Sequence, residues 1–173
     1  MRAAVKLSYV FVAGVSVLAV AACGNEVPQG RAVSAASPSP SMRTASATID
    51  GSPSLELQRR YGVIVPAGAN GVSYGYRQEG GGGELWVTFK VGREGLGAFL
   101  ADAGAREEQL NSGVVEFTAS DLELTGWSID AKSSVKGLMV PAKDGDIKSP
   151  SRKVTVDYSD SESMAVFVLA AKP

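Results

Sequence analysis

The sequence contains no histidine and a single cysteine, Cys23. These two shortages exclude Cys/His zinc sites, Ser-His-Asp triads, Cys-His nucleophiles and haem ligation through imidazole. A field of one charge is also missing. Lysine and arginine number 17 against 18 acidic residues, a formal net charge of -1. The basic residues are scattered among acids, which sets aside nucleic-acid binding through a clustered positive footprint. No repeat at solenoid periods is visible, and no apolar run reaches the roughly 20 residues that span a bilayer core.

What is present begins with an export pattern. Arg2 and Lys6 form a short positive stretch, an uncharged apolar run follows from Leu7 to Val20, and the small residues Ala21 and Ala22 precede Cys23. This order predicts a signal peptide over residues 1–22, in preference to a retained transmembrane helix, because no basic stop-transfer cluster follows the run. Val20-Ala21-Ala22-Cys23 resembles the lipobox of bacterial lipoproteins, a resemblance carried by the first 23 residues. It implies that the Cys23 thiol receives a diacylglyceryl group and that a signal peptidase cuts between Ala22 and Cys23. Cys23 then becomes an N-acylated N-terminus. The lipid would account for a lone cysteine in an oxidising compartment, and more than one acyl chain would hold the protein at the membrane without a spanning helix. The expected location is the outer face of the cell membrane.

Residues 23–52 then form the expected tether. From Gly24 to Ser52 the chain is rich in Ser, Ala, Pro and Thr, with Ser37-Pro38-Ser39-Pro40-Ser41 at its centre. Such a composition buries too little apolar surface to offset ordering, so it predicts a disordered spacer with a reach of roughly 30 Å. The Ala, Gly and Val bias together with this tether is similar to that of surface lipoproteins of high-GC actinobacteria. Of the 17 basic residues, Arg2 and Lys6 leave with the signal peptide, so 15 would face 18 acidic ones, a net -3.

Residues 53–173 predict one α+β domain, an antiparallel β-sheet of two hairpins with one or two helices packed on one face. Ser52-Pro53 offers a helix start and Gly62 a stop. Val63–Val65 reads as a short strand ended by Pro66. Val72, Tyr74 and Tyr76 alternate with polar or small residues, as do Leu85, Val87, Phe89 and Val91 across Gly80–Gly83, which predicts the first hairpin. Leu96, Phe99, Leu100 and Ala103 carry helical spacing, and Gly104 ends it. Arg106 to Leu110 predicts a further turn of helix, Val114 to Phe117 a strand, and Asp121 to Ile129 no definite element. Gly137 to Val140 reads as a strand, and residues 154–158 with 164–169 as the second hairpin.

Candidate chemistry is sparse. The Gly80–Gly83 run lacks the Gly-Lys-Ser/Thr ending of a phosphate loop, and Gly92, Gly95 and Gly97 lack dinucleotide spacing. Asp144-Gly145-Asp146 and the group Asp157, Asp160 and Glu162 read as turn residues, not as a Ca²⁺ loop. Glu107-Glu108 reads as solvated surface, and Ser133 or Ser134 with Lys132 or Lys136 as a polar stretch without a nucleophile elbow. No catalytic residue, metal or cofactor is therefore predicted beyond the covalent lipid on Cys23. One surface stands out. Trp86 lies on the hairpin face opposite Leu85, Val87 and Phe89, so Trp86 with Tyr74, Tyr76 and Arg77 forms a candidate partner or ligand contact. The competing reading buries Trp86 under the helix at 95–103 or a crossing loop, while Trp127 plugs the sheet. The functional expectation is a membrane-anchored extracytoplasmic lipoprotein whose small domain binds an envelope protein, a glycan or a small ligand. The alternative is a structural or assembly subunit of an envelope complex, and a cell-envelope enzyme ranks third.

Overall fold

The computed structural model describes residues 47–173, apart from Ser133, Asp144, Gly145 and Ile147. The predicted signal peptide, Cys23 and most of the tether lie outside the described residues. Seven strands form one antiparallel sheet: β1 (Ile49–Asp50), β2 (Asn70–Glu79), β3 (Gly82–Val91), β4 (Asn111–Ser112), β5 (Val135–Val140), β6 (Ser151–Asp157) and β7 (Met164–Lys172). Their spatial order is β1-β2-β3-β7-β6-β5-β4. The fold is α+β, and both predicted hairpins, β2–β3 and β6–β7, are present. Strand β7 joins them by pairing with β3 from Gly83↔Lys172 to Val91↔Met164. Strand β1 pairs with β2 through Ile49↔Tyr74 and Asp50↔Ser73. The ordered domain thus begins ahead of residue 53.

Alternation along the strands sorts side chains onto two faces. Leu85, Val87, Phe89 and Val91 share one face with Val154, Val156, Val166 and Val168. Helix α1 (Leu55–Tyr61) and helix α2 (Arg93–Asp102) cover it through Tyr61, Leu96, Phe99 and Leu100. Helix α1 begins at Ser54, whose hydroxyl accepts a hydrogen bond from the Leu57 N–H, rather than at Ser52. It stops at Gly62, as predicted, with φ of 60°.

The opposite face carries a second apolar layer. Trp86 and Leu169 pack there with Phe117, and Leu122, Leu124, Trp127 and Ile129 close over them. Helix α3 (Ala119–Thr125) supplies part of this cover, so helices lie on both faces of the sheet and not on one. Trp127 stacks edge-on against Phe117 and Phe167 at centroid distances of 5.1 and 5.3 Å. Residues 114–117 are extended but form no strand: they cross the second face, where the Glu116 N–H donates to Thr155 Oγ1 at 3.3 Å. Val63–Val65 likewise joins no sheet: the Val63 N–H donates to the Gln58 carbonyl at 2.9 Å and the Val65 N–H to Gln58 Oε1 at 2.8 Å. Residues 107–109 form a short 3-10 turn. Among the described residues no helix is long and apolar enough to cross a membrane.

Candidate functional site

The aromatic contact group of the sequence reading does not assemble. Trp86 is 1% exposed, sealed beneath the second layer, and its ring lies where a Cβ on Gly75 of the paired strand would stand. A buried indole anchors no partner. Tyr74 and Tyr76 project to the other face, where both pack on the first core and Tyr76 meets Tyr61 edge-on at 5.8 Å. Arg77 returns to the Trp86 face and pairs with Glu84. The four side chains are therefore split between two faces of one hairpin. The acidic turn residues serve their backbone: Asp157 Oδ1 accepts from the Ser159 N–H and hydroxyl, and Asp160 Oδ1 from the Glu162 N–H. Glu107 accepts from Arg93 and from the Tyr158 hydroxyl. Ser133, Asp144 and Gly145 lie outside the described residues.

A different site emerges at one end of the sheet. Along β6 the first-core face runs Val156, Val154, Arg152, and along β7 it runs Val166, Val168, Ala170, Lys172. Each strand thus ends its apolar series with a cation. Arg152 pairs with Val140 on one side and Ala170 on the other, and it is only 8% exposed. Its Nε is buried without a hydrogen-bond partner, and none of the described residues forms an ion pair with it. Burial lowers the guanidinium pKa below its ordinary value, with no carboxylate among the described residues to oppose that shift. A guanidinium keeps its proton regardless. A buried charge without a partner is costly and calls for an explanation.

The space around Arg152 supplies one. An open cleft of about 910 Å³ is bounded by the C-terminal ends of α1 and α2, by Val140–Lys143, Asp146 and Lys148–Pro150 between β5 and β6, and by Arg152 and Lys172. Its described lining holds six cations, Arg59, Arg60, Lys143, Lys148, Arg152 and Lys172, against two acids, Asp102 and Asp146. Asp146 is engaged locally, accepting at 2.9 Å from the Lys148 N–H. The connection is braced further by the Lys143 N–H donating to Ser149 Oγ at 3.2 Å, with the Ser149 N–H donating to the Asp146 carbonyl at 3.0 Å. These bonds hold the backbone that carries Lys143 and Lys148.

The floor depends on one glycine. Gly62 ends α1 in the left-handed region, and a Cβ there would overlap Nη1 of Arg152. The guanidinium therefore occupies volume that only glycine leaves free. Carbonyls at the end of α1 ease the Arg152 charge by a few tenths of a kcal/mol at most, since the helix is short and no hydrogen bond forms. The arrangement suits an anion whose oxygens meet Arg152 where its side chain lines the cleft, while the rim cations neutralise further charge.

None of these residues stood out in the one-dimensional reading, yet one signal was there. Arg152 shares the parity of Val154 and Val156, so an arginine occupies a core-facing position of a strand. The other cations come from segments far apart in sequence and meet only through the fold. Compared with family models, curated proteins and solved structures, the chain matches none.

Proposed function

We propose that this chain is a lipid-anchored extracytoplasmic binding protein whose domain takes an anionic ligand in the Arg152 cleft. The observation that carries the ligand half is the buried, unpartnered guanidinium facing a cation-rich cleft. A bound oxyanion would provide the counter-charge that the described residues leave out. The anchor half rests on Val20-Ala21-Ala22-Cys23, with the membrane as the first partner and the domain held outside it by the tether. Binding is favoured over catalysis because the polar lining is dominated by guanidinium and ammonium groups, which hold charge but neither attack nor shuttle protons at neutral pH.

Two measurements test the reading. Intact-mass analysis of protein purified from membranes should show a chain beginning at Cys23 and carrying diacylglyceryl and N-acyl groups; an unmodified Cys23 refutes the anchor. Calorimetry of the full chain in neutral detergent against phosphate, sulfate and citrate should show saturable binding of at least one anion, lost in Arg152→Met. If none of the three binds, the cleft is not an anion site.

A second reading, an assembly subunit of an envelope complex, is favoured by one feature. Strand β4 pairs with β5 only at Lys136 and Gly137, and Met139 beyond it is 51% exposed. An added strand from another protein would fit such an edge. Site-specific photocrosslinking from position 139 in cells tests it, one recurrent adduct supporting the complex and none refuting it.

A further inference from the structure

We infer that the anion this cleft takes is a phosphate ester carried on a larger, soluble polar chain; the inference rests on the cleft reading above and narrows it to one chemistry. Three observations carry it. The first is charge. Cations reach the cleft from α1, from the β5–β6 connection, from β6 and from β7, and they outnumber the described acids six to two. A carboxylate is planar, singly charged and satisfied by one guanidinium fork. A phosphate ester brings up to about two charges and three strong acceptor oxygens pointing in different directions. Only the second uses cations arriving from separate elements.

The second observation is size and lining. At about 910 Å³ the cleft is many times the ~30 Å³ share of a water molecule, so a lone inorganic ion leaves most of it empty. The described lining contains no aromatic ring; its uncharged part is Gly62, Val140, Pro141, Ala142, Ser149, Pro150 and the small residues at the end of α2. Nucleobases and sugar faces are held mainly by aromatic rings, and none lines the described cleft. The body attached to the phosphate is therefore a slim chain lying along small side chains.

The third observation is depth. Arg152 is 92% buried at the floor, with Arg59 and Lys143 exposed above it. A flat layer of lipid headgroups touches such a rim but does not reach the floor. The region after Cys23 also carries a net negative charge, with 15 basic residues remaining from 17 once Arg2 and Lys6 are removed, against 18 acidic ones. An anionic leaflet repels that balance. A soluble phosphate-bearing chain can thread in where a bilayer cannot.

The experiment is calorimetry on the full chain in neutral detergent at fixed ionic strength, with inorganic phosphate, glycerol 3-phosphate, glycerate and a short glycerol-phosphate oligomer as probes. Vesicle flotation on phosphatidylglycerol and phosphatidylcholine runs beside it. Glycerol 3-phosphate should bind at least tenfold tighter than glycerate, and the oligomer tighter than inorganic phosphate. Arg152→Met should lose at least tenfold in phosphate-ester affinity. Arg59→Gln, an exposed change that leaves the core intact, should lose severalfold and keeps the test valid if the Arg152 variant does not fold. Equal binding of glycerate overturns the phosphate inference and leaves the anion cleft standing. Absence of binding by every probe overturns both. Binding only to phosphatidylglycerol vesicles, unmoved by soluble glycerol 3-phosphate, replaces the soluble chain with the bilayer and overturns the inference.

Discussion

Arg152→Met should stabilise the protein when no anion is present. Arg152 is 8% exposed, its Nε is unpartnered, and no ion pair among the described residues offsets its desolvation. Replacing buried charged groups by apolar residues of similar volume is often neutral or stabilising by about 1–4 kcal/mol. Methionine keeps most of the length of the arginine stem and removes the guanidinium that lies against Gly62. The favourable end of α1 returns a few tenths, which leaves an expected gain of about 1–3 kcal/mol. For a domain of this size each kcal/mol moves Tm by about 4 °C, so the variant should melt about 4–12 °C higher. Circular dichroism melts in buffer free of multivalent anions measure this. Tryptophan fluorescence from the second layer should trace the same transition if unfolding is two-state. Glycerol 3-phosphate should then narrow the stability difference by about 1.3 kcal/mol or more. At a hundredfold excess over its Kd wild type gains about 2.7 kcal/mol, whereas a variant binding at least tenfold more weakly gains about 1.4 kcal/mol or less. A variant that melts below wild type in both buffers shows that Arg152 is a structural cation, and the cleft loses its main support.

Gly62→Ala should cost about 1–2 kcal/mol from its left-handed backbone alone, and more because its Cβ overlaps Arg152. In an Arg152→Ala background the excess should vanish, a coupling of at least 0.5 kcal/mol in a denaturant-based double-mutant cycle; strict additivity refutes the contact. Gly75→Ala should cost about 1–3 kcal/mol by driving a methyl into the Trp86 ring and should alter the near-ultraviolet dichroism, whereas an unchanged Tm places the ring elsewhere. Asp121 ties α3 to β6 through a 2.6 Å bond from Lys153. Burial alone would raise its pKa, but hydrogen bonds from Lys153 and Thr118 overcome that and hold the carboxyl below 3.8. The folded state therefore binds this proton less tightly than the unfolded one, so the contribution is present above about pH 4 and lost as pH falls through the folded value. Asp121→Asn should cost about 1–2 kcal/mol at pH 7 and almost nothing near pH 2 in chemical denaturation, and an equal cost at both pH values contradicts the assignment. Tyr158 is pushed up to about 12, by burial first and then by Glu107. Its neutral form favours the fold below pH 10, and that contribution fades as pH rises through the folded value. Replacing Tyr158 by Phe should remove one late phenol from an ultraviolet alkaline titration, and an unchanged curve refutes the assignment.

The two hairpins were legible because each strand has one face in the first core, which imprints a period of two: Leu85, Val87 and Phe89 on β3, Val154 and Val156 on β6. Helix α2 was legible through Leu96, Phe99 and Leu100, and the end of α1 through Gly62. Helix α3 was not. Its seven residues place the apolar Leu122 and Leu124 two apart, which matches no helical face, and the helix is held by a local device instead. The Thr118 N–H donates to Asp121 Oδ2 while the Asp121 N–H donates to Thr118 Oγ1. That box was readable as Thr-x-x-Asp but lacked an apolar run behind it. Val114 to Phe117 failed for the opposite reason: β-favouring residues were present, but the segment packs across a sheet face and adds no strand. The fate of Trp86 followed from these two errors, because both missed segments contribute to its cover.

The Arg152 cleft exposes a more general limit of reading strands by parity. Parity identifies which face a side chain shares, but not where along the strand the covering layer ends. On β6 the cover of α1 and α2 extends over Val156 and Val154, and the helix ends then open into the cleft at Arg152. A cation at core parity one step past the last valine is thus the one-dimensional trace of a recessed charged site. Gly62 hides its second role in the same way. As a helix stop it needs only a residue tolerant of the left-handed region, and asparagine often serves there. A Cβ at this position would overlap the Arg152 guanidinium, so any other residue would have to displace that group. The residue that ends α1 is therefore also the one that makes room for the charge on the cleft floor, joining helix termination and anion recognition at a single backbone position.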